Sequence, residues 1–456
     1  KLNLKLIETP FLNELEQKKY HIYLRSIKKQ IEIYREENIS LYTEMEAKQQ
    51  EYGMISAKMT IEVNGENLTM QQASLLLKDT NRKKRETIYN LIQKRRLKDE
   101  VILDNLYNEL ITLRQRIAKN AGFKNYRDYM FSAMGRFDYT PQDCFNFHNA
   151  ISKDIVPIIS SFEEKRKKKL NYKNYKPWDT SVDVDGLKPL KPFNGGEELT
   201  DLTIKCFSNL RPYFGDCITI MKEMKHLDLE SKEGKAPGGF MYPLHEIGVP
   251  FIYMNSVGSQ RDLVTMVHEG GHAIHSFLCR NLELTEFKST PSEVAELASM
   301  AMELLSMDYW HTFYKDKNEL KRAKLEQLEK ALGTLPWVAA IDKFQHWIYT
   351  NKHTSKERKE KWFEIDSELG NQVINWDGHE SAQKIMWQRQ LHLYEVPFYY
   401  IEYGMAQLGA IAVWRSYKKH GEKAIENYIN ALKLGYTKSI GEIYKTAGIK
   451  FDFSEE

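Results

Sequence analysis

The chain has 456 residues, a formal net charge of +3, 42% apolar residues and 28% charged residues. That length can bury a large core in two or three domains, and the balance is that of an ordinary soluble protein. So small a charge gives no case for a nucleic-acid partner. No apolar run approaches the ~20 residues of a membrane span, so neither partner is expected.

The N-terminus, KLNLKLIETPFLNELEQ, lacks the apolar core of a signal peptide and an initiator methionine, so a truncated or processed chain is expected. Residues 10–52 and 70–135, rich in Leu, Ile, Glu and Lys, read as long amphipathic helices. Between them MTIEVNGENLTM sets Asn64-Gly65 among β-type residues, which predicts a local hairpin. The helical pattern continues over 141–170, and the basic run Lys165–Lys169 reads as the end of a solvated helix. The Lys/Pro/Gly-rich stretch 173–198 is the best boundary. It separates a helical domain, 1–172, from a second, mostly helical domain with a small sheet, 173–456.

Helices are expected near 197–210 and 211–225, short strands within 226–256, and helix for most of the remainder. Gly234, Gly238 and Gly239 are expected in turns or close backbone approaches. The run PFIYMNSVG (250–258) reads as a strand opened by Pro250 and ended by Asn255–Gly258. As an edge strand beside the following helix it would pair with an extended peptide, with Phe251, Tyr253 and Asn255 at the substrate. An ordinary core strand is the competing reading. Cys144, Cys206, Cys217 and Cys279 are widely spaced, form no zinc-knuckle or redox pair, and read as free thiols of a reducing, cytoplasmic compartment. The fold class is mainly α, with a small mixed β-sheet against one chemically distinctive helix.

That helix carries His268-Glu269-Gly270-Gly271-His272. Residues i and i+4 share a helix face, so two imidazoles can ligate one cation. Glu269 stands about 100° round the axis, within reach of a water on that cation. Leu263, Met266, Val267, Gly270, Ile274, Phe277 and Leu278 keep helical spacing over 262–280, with Ser259 and Asp262 as a capping pair and Arg280 at the C-terminus. Two glycines inside a helix cost about 1 kcal/mol each relative to alanine, so something is expected to pack against the backbone there. The bland alternative is a buried structural helix whose histidines only hydrogen-bond.

A catalytic tetrahedral site needs a third protein ligand. Thr290-Pro291-Ser292-Glu293 has the form of a helix start, with Glu293 engaged by the cap. Glu296 follows among Val294, Ala295, Leu297 and Ala298, where an unpaired carboxylate is costly. It is the expected third ligand, the competing reading being a partly solvated acid. Glu303, seven residues on, is expected to orient a ligating histidine from behind, and His275 to support or pack.

HEGGHAIHSF followed by SEVAELASM resembles the oligoendopeptidase F branch of the thimet-oligopeptidase-like zinc metallopeptidases. GKAPGGFMYP (234–243), PFIYMNSVG (250–258), HLYEVPFYYIEYGMAQLGA (392–410) and RIAKNAGFKNYRDYM (116–130) extend the resemblance. It implies a large helical two-lobed ellipsoid with a deep channel, and a catalytic domain over 173–456. It also implies zinc-dependent endopeptidase activity on short peptide substrates, with one zinc ion held by His268, His272 and Glu296. Glu269 would be the general base, and His392 with Tyr403 would donate to the oxyanion. Tyr399 and Tyr400 compete for that role, because the spacing from His392 departs by one residue from the thimet-type branch, and Tyr400 is also expected at the substrate. A carboxypeptidase or dipeptidase using Arg389 for the terminal carboxylate is the alternative. A non-catalytic peptide-binding protein is the other. Monomer and dimer are both open.

Overall fold

In the computed structural model, which describes residues 1–232, 235 and 238–454, the chain is mainly helical with two small sheets. The long N-terminal helices expected from amphipathic spacing are broken into shorter ones. Gln17–Ile33 and Asn38–Ala57 precede the hairpin; Met70–Leu76, Arg82–Lys98, Glu100–Asn120 and Tyr126–Ala133 follow it. Two of the new starts have a local cause that periodicity passes over. Asn81 accepts from the Lys84 N–H and Asn125 from the Asp128 N–H, each capping the helix that begins one residue later. The hairpin is as expected: β1 (Thr60–Val63) pairs antiparallel with β2 (Glu66–Thr69) through Asn64 (φ 54°) and Gly65 (φ 84°). Such a two-residue turn demands that left-handed pair.

The chain forms two compact units. One comprises 1–28, 188–332 and 402–452; the other comprises 29–187, 333–401 and 453–456. The passage at 187/188 lies inside the 173–198 connection, but those at 28/29 and 332/333 lie inside helices Gln17–Ile33 and Lys317–Thr350. A division into 1–172 and 173–456 therefore does not describe the units. A boundary within a helix leaves no interruption in the hydrophobic period.

In the first unit a three-stranded sheet has the order β3 (Leu227–Glu230), β5 (Phe251–Ser256), β4 (Phe240–Tyr242), with β3 parallel and β4 antiparallel to β5. The strand expected as a possible edge, β5, is the central one. Its backbone pairs on both sides, so the edge reading is corrected in favour of a core strand. Proline and glycine punctuate central and edge strands alike, and the crossover to parallel β3 has no local signal. Ile252, Met254 and Ser256 are buried, whereas Phe251, Tyr253 and Asn255 are half-buried on the other face. Tyr253 stacks on Phe240 at 5.1 Å, and Asn255 Nδ2 donates to the Gly238 carbonyl at 3.0 Å. Gly238 has φ 113° and a Cβ on Gly239 would lie 3.2 Å from Thr265 Cγ2, so both expected roles occur; Gly234 is outside the described residues.

Helices Gly195–Leu210, Pro212–Glu223, Gln260–Cys279 and Ser292–Leu305 share one core with this sheet, through Phe207, Ile218, Ile252, Val267 and Leu297. All four cysteines are free and buried. Among the described residues no helix is long and apolar enough to cross a membrane.

Candidate metal centre and active site

Ser259 and Asp262 form a reciprocal cap on the 260–279 helix: Ser259 Oγ accepts from the Asp262 N–H at 3.3 Å and Asp262 Oδ2 from the Ser259 N–H at 2.9 Å. The paired glycines have the expected neighbours. A Cβ on Gly270 would stand 2.7 Å from a ring carbon of Phe207. One on Gly271 would stand 2.7 Å from Ser299 Cα and 2.8 Å from the Ala298 carbonyl oxygen. Absence of a side chain at 271 lets the 292–305 helix approach backbone to backbone, and that approach brings Glu296 to the imidazoles.

The start of this second helix differs from the expectation. Pro291 is its N-cap, with its carbonyl accepting from the N–H groups of Val294 and Ala295 at 2.9 and 3.0 Å, and no side chain caps it. The Thr290–Glu293 box does not form, because the helix begins one residue later than a first-turn proline requires. Glu293 is buried in the packed face instead.

Glu296 Oε2 lies 3.3 Å from His268 Nε2 and 3.7 Å from His272 Nε2. Ligand atoms of these three residues all lie within 4.8 Å of one another. His268 and Glu296 are fixed from behind. His268 Nδ1 is 2.7 Å from Glu303 Oε1, Gln327 Nε2 donates to Glu303 Oε2 at 2.6 Å, and Ser299 Oγ donates to Glu296 Oε2 at 2.9 Å. Two imidazole nitrogens and a carboxylate oxygen, with His268 and Glu296 each oriented by an outer partner, suit a tetrahedral zinc ion.

The electrostatics are those of a cation site. Burial disfavours charge on both imidazoles, yet hydrogen bonds and charges from Glu296 and Glu303 lift His268 to about 10. For His272, burial and the charge of His268 outweigh Glu296 and bring it to about 4. Burial would raise Glu296, but His268 and His272 hold it at about 2. Glu269 is buried and raised, chiefly by burial, while the charge of His268 partly offsets that shift. His275 is not part of the cluster. It is buried, its Nε2 has no hydrogen-bond partner, and burial lowers it to about 3, which makes it a packing residue.

Sequence reasoning passed over Ser299 and Gln327. Ser299 could have been found, since it stands three residues after Glu296 on the same stripe. Gln327 belongs to the 317–350 helix, and no spacing rule links it to Glu303.

In the second unit His392, Tyr399 and Tyr400 come together: the His392 ring is 6.0 Å from that of Tyr399 and 4.7 Å from that of Tyr400. Buried groups hold the segment. Arg114 donates to the carbonyls of Leu393 and Tyr394, and Gln49 to that of Glu395. Phe398, in the left-handed region at φ 69°, is fixed by Gln345 on its N–H and by Arg136 on its carbonyl. A bulky residue persists there only when its surroundings enforce it. Trp337 Nε1 donates to Gln390 Oε1 at 2.8 Å, and Gln390 Nε2 lies 2.6 Å from His392 Nδ1. Tyr403 belongs to the first unit, in the helix Ile401–His420, packed against the main core.

Residues 75–456 match the family model of Peptidase family M3. The chain is 26% identical over 387 residues to an oligoendopeptidase F homologue of Borreliella burgdorferi, covering 83% of this chain and 63% of that protein. It is 24% identical over 335 residues to oligopeptidase PepF of Bacillus subtilis, covering 72% and 49%. A solved structure of PZ peptidase A with an inhibitor matches with a TM-score of 0.90 at 27% identity, over 98% of this chain and 79% of that one. The chain thus spans about half to two thirds of the length of these curated relatives. On the match over residues 75–456, the chain belongs to peptidase family M3.

Proposed function

We propose that this protein is a zinc-dependent endopeptidase that hydrolyses internal bonds of short peptides. The observation that carries the reading is the gathering of His268, His272 and Glu296 within 4.8 Å, in a chain of family M3. Those three residues would hold one zinc ion. When bound, the ion supplies Lewis acidity to the scissile carbonyl and makes water a better nucleophile at neutral pH.

The chain's own groups do the rest. Glu269, raised by burial, takes a proton from the attacking water on a carboxylate oxygen and returns it to the leaving nitrogen. His392 is the oxyanion donor with Tyr403, and Tyr399 and Tyr400 remain alternatives. Chemistry supports His392. Trp337 can only donate, so Gln390 Oε1 is its acceptor and the Gln390 amide NH₂ faces His392 Nδ1. Burial lowers His392, so the ring is neutral with its proton on Nε2, which makes that nitrogen a donor. An extended peptide pairs with the outer strand β4, not with β5, whose two sides are taken. Phe251, Tyr253, Asn255 and Tyr400 would then act through side chains.

Glu269→Gln tests the reading. The variant should keep its zinc and lose turnover of a mixed peptide library; retained chelator-sensitive cleavage would end the proposal.

A second reading, removal of C-terminal residues, draws on one observation. Arg96 and Arg389 line a cavity of about 760 Å³ within the second unit. Arg389 stacks on Trp337 at 4.6 Å; burial lowers both guanidinium groups, and the charge of Arg389 lowers that of Arg96 further. A free terminal carboxylate would satisfy such a pair. Cleavage of C-terminally amidated peptides as readily as free ones excludes this reading.

A further inference from the structure

We propose that Cys144, Asp342 and His346 form a second, structural metal site in the second unit, for a thiolate-accepting divalent cation of the zinc class. Ligand atoms of these three residues all lie within 4.8 Å of one another, as do those of His268, His272 and Glu296. Helix Pro141–Ala150 carries Cys144 and, one turn on, His148; helix Lys317–Thr350 carries Asp342 and, one turn on, His346. Each pair shares a helix face, so two facing helices present thiol, imidazoles and carboxylate to one point.

A hydrogen-bonded network within the protein leaves this cluster incomplete. His148 Nε2 reaches Asp342 Oδ2 at 2.8 Å, which satisfies one carboxylate oxygen. Asp342 Oδ1 has no partner, and neither ring nitrogen of His346 has one. His346 Nε2 stands 3.2 Å from Asp342 Oδ2 but lacks the direction of a hydrogen bond. Asp342 and His346 are 0% and 3% exposed, so bulk solvent does not supply the missing partners. Buried polar atoms of native proteins are nearly always paired, and three orphans on two adjoining residues point to a ligand.

The chemistry of the donors selects the ligand. Thiolate, imidazole and carboxylate together suit zinc-class ions, and they do not suit magnesium or calcium. Binding displaces the Cys144 proton and requires neutral His346 and ionised Asp342. His148 then plays the outer role, fixing the carboxylate as Glu303 fixes His268. The rings of Phe131, Phe145 and Phe398 stand 5.9, 4.9 and 5.4 Å from that of His346 and close the cluster off. Such a shell suits a structural ion and no turnover.

Sulfur distinguishes the two donor sets, because the first has none. The full chain carrying His268→Ala and His272→Ala would be produced with Co²⁺ replacing Zn²⁺ in the medium, and also refolded from denaturant with Co²⁺. Folding is verified by far-UV circular dichroism. The expected result is one Co²⁺ per folded chain and a thiolate-to-cobalt charge-transfer band in the near ultraviolet. Both should disappear in Cys144→Ser, and His346→Ala, which keeps the sulfur, should weaken binding at least tenfold. Absence of the band from the folded parent overturns the proposal, whatever the variants do. A band that survives in folded Cys144→Ser overturns it equally. Neither outcome bears on peptidase activity.

Discussion

His268 meets Glu303 across 2.7 Å, from Nδ1 to Oε1. A carboxylate can only accept, so the Nδ1 proton is fixed on that side and Nε2 is turned toward Glu296 and a cation. Glu303→Gln keeps a hydrogen-bonding side chain but removes the charge that raises the basicity of the ring. Zinc affinity, measured by competition with a chromophoric chelator, should fall about 10–100-fold. An unchanged affinity would remove Glu303 from the site.

The same residues predict a pH dependence for the metal-free chain. His268, raised from 6.5 to about 10, contributes stability that is complete below 6.5 and is lost as pH rises through about 10. His272, lowered to about 4, costs stability as pH falls from 6.5 toward 4. Glu296, lowered from 4.5 to about 2, contributes stability above 4.5 that is lost as pH falls through about 2. The site therefore favours the folded metal-free chain most near pH 6.5, and its melting temperature should decline on both sides. Cation uptake must expel the His268 proton, so apparent affinity should rise about tenfold per pH unit from 7 to 9. Calorimetry in buffers of different ionisation enthalpy reads that proton directly.

Gly270 and Gly271 separate two kinds of close packing. A methyl at 270 meets the end of a single side chain, the buried ring of Phe207, whereas one at 271 meets the Ser299 and Ala298 backbone of a packed helix. Alanine gains about 1 kcal/mol in helix propensity at either position. Gly270→Ala should therefore come out near neutral, or destabilise by about 1 kcal/mol, while Gly271→Ala should cost about 2–3 kcal/mol from overpacking. Urea midpoints should rank them in that order, and Gly271→Ala should also bind zinc more weakly because its clash pushes Glu296 away.

What could be read from the sequence was short in range. His268 and His272, Ser259 and Asp262, and Asn64-Gly65 each act within one turn of their own segment, and spacing alone predicts their geometry. Glu296 was legible for another reason: a carboxylate on an apolar stripe needs a partner. The place of β5 was not legible, because it depends on pairing with β3 across some twenty residues of chain. Gln327, the Arg114 and Arg136 clamps on 393–398, and the facing of Cys144 with Asp342 are all contacts between distant helices. No local period encodes them.

The Trp337–Gln390–His392 chain gives a test of positioning apart from catalysis. With Trp337 Nε1 donating to Gln390 Oε1, the amide cannot rotate without losing a bond, and His392 Nδ1 is kept as an acceptor. Trp337→Phe keeps most of the ring packing but frees the amide, which can then present its oxygen to Nδ1 and move the ring proton there from Nε2. If His392 Nε2 donates to an oxyanion, kcat should fall, with the roughly 10²–10³-fold loss of a deleted donor as the limit, and KM should change little. His392→Ala should reach that limit, and adding Trp337→Phe to it should cost nothing further. A double variant that loses activity additively would show that Trp337 acts elsewhere, for instance through the Arg389 guanidinium stacked on its ring.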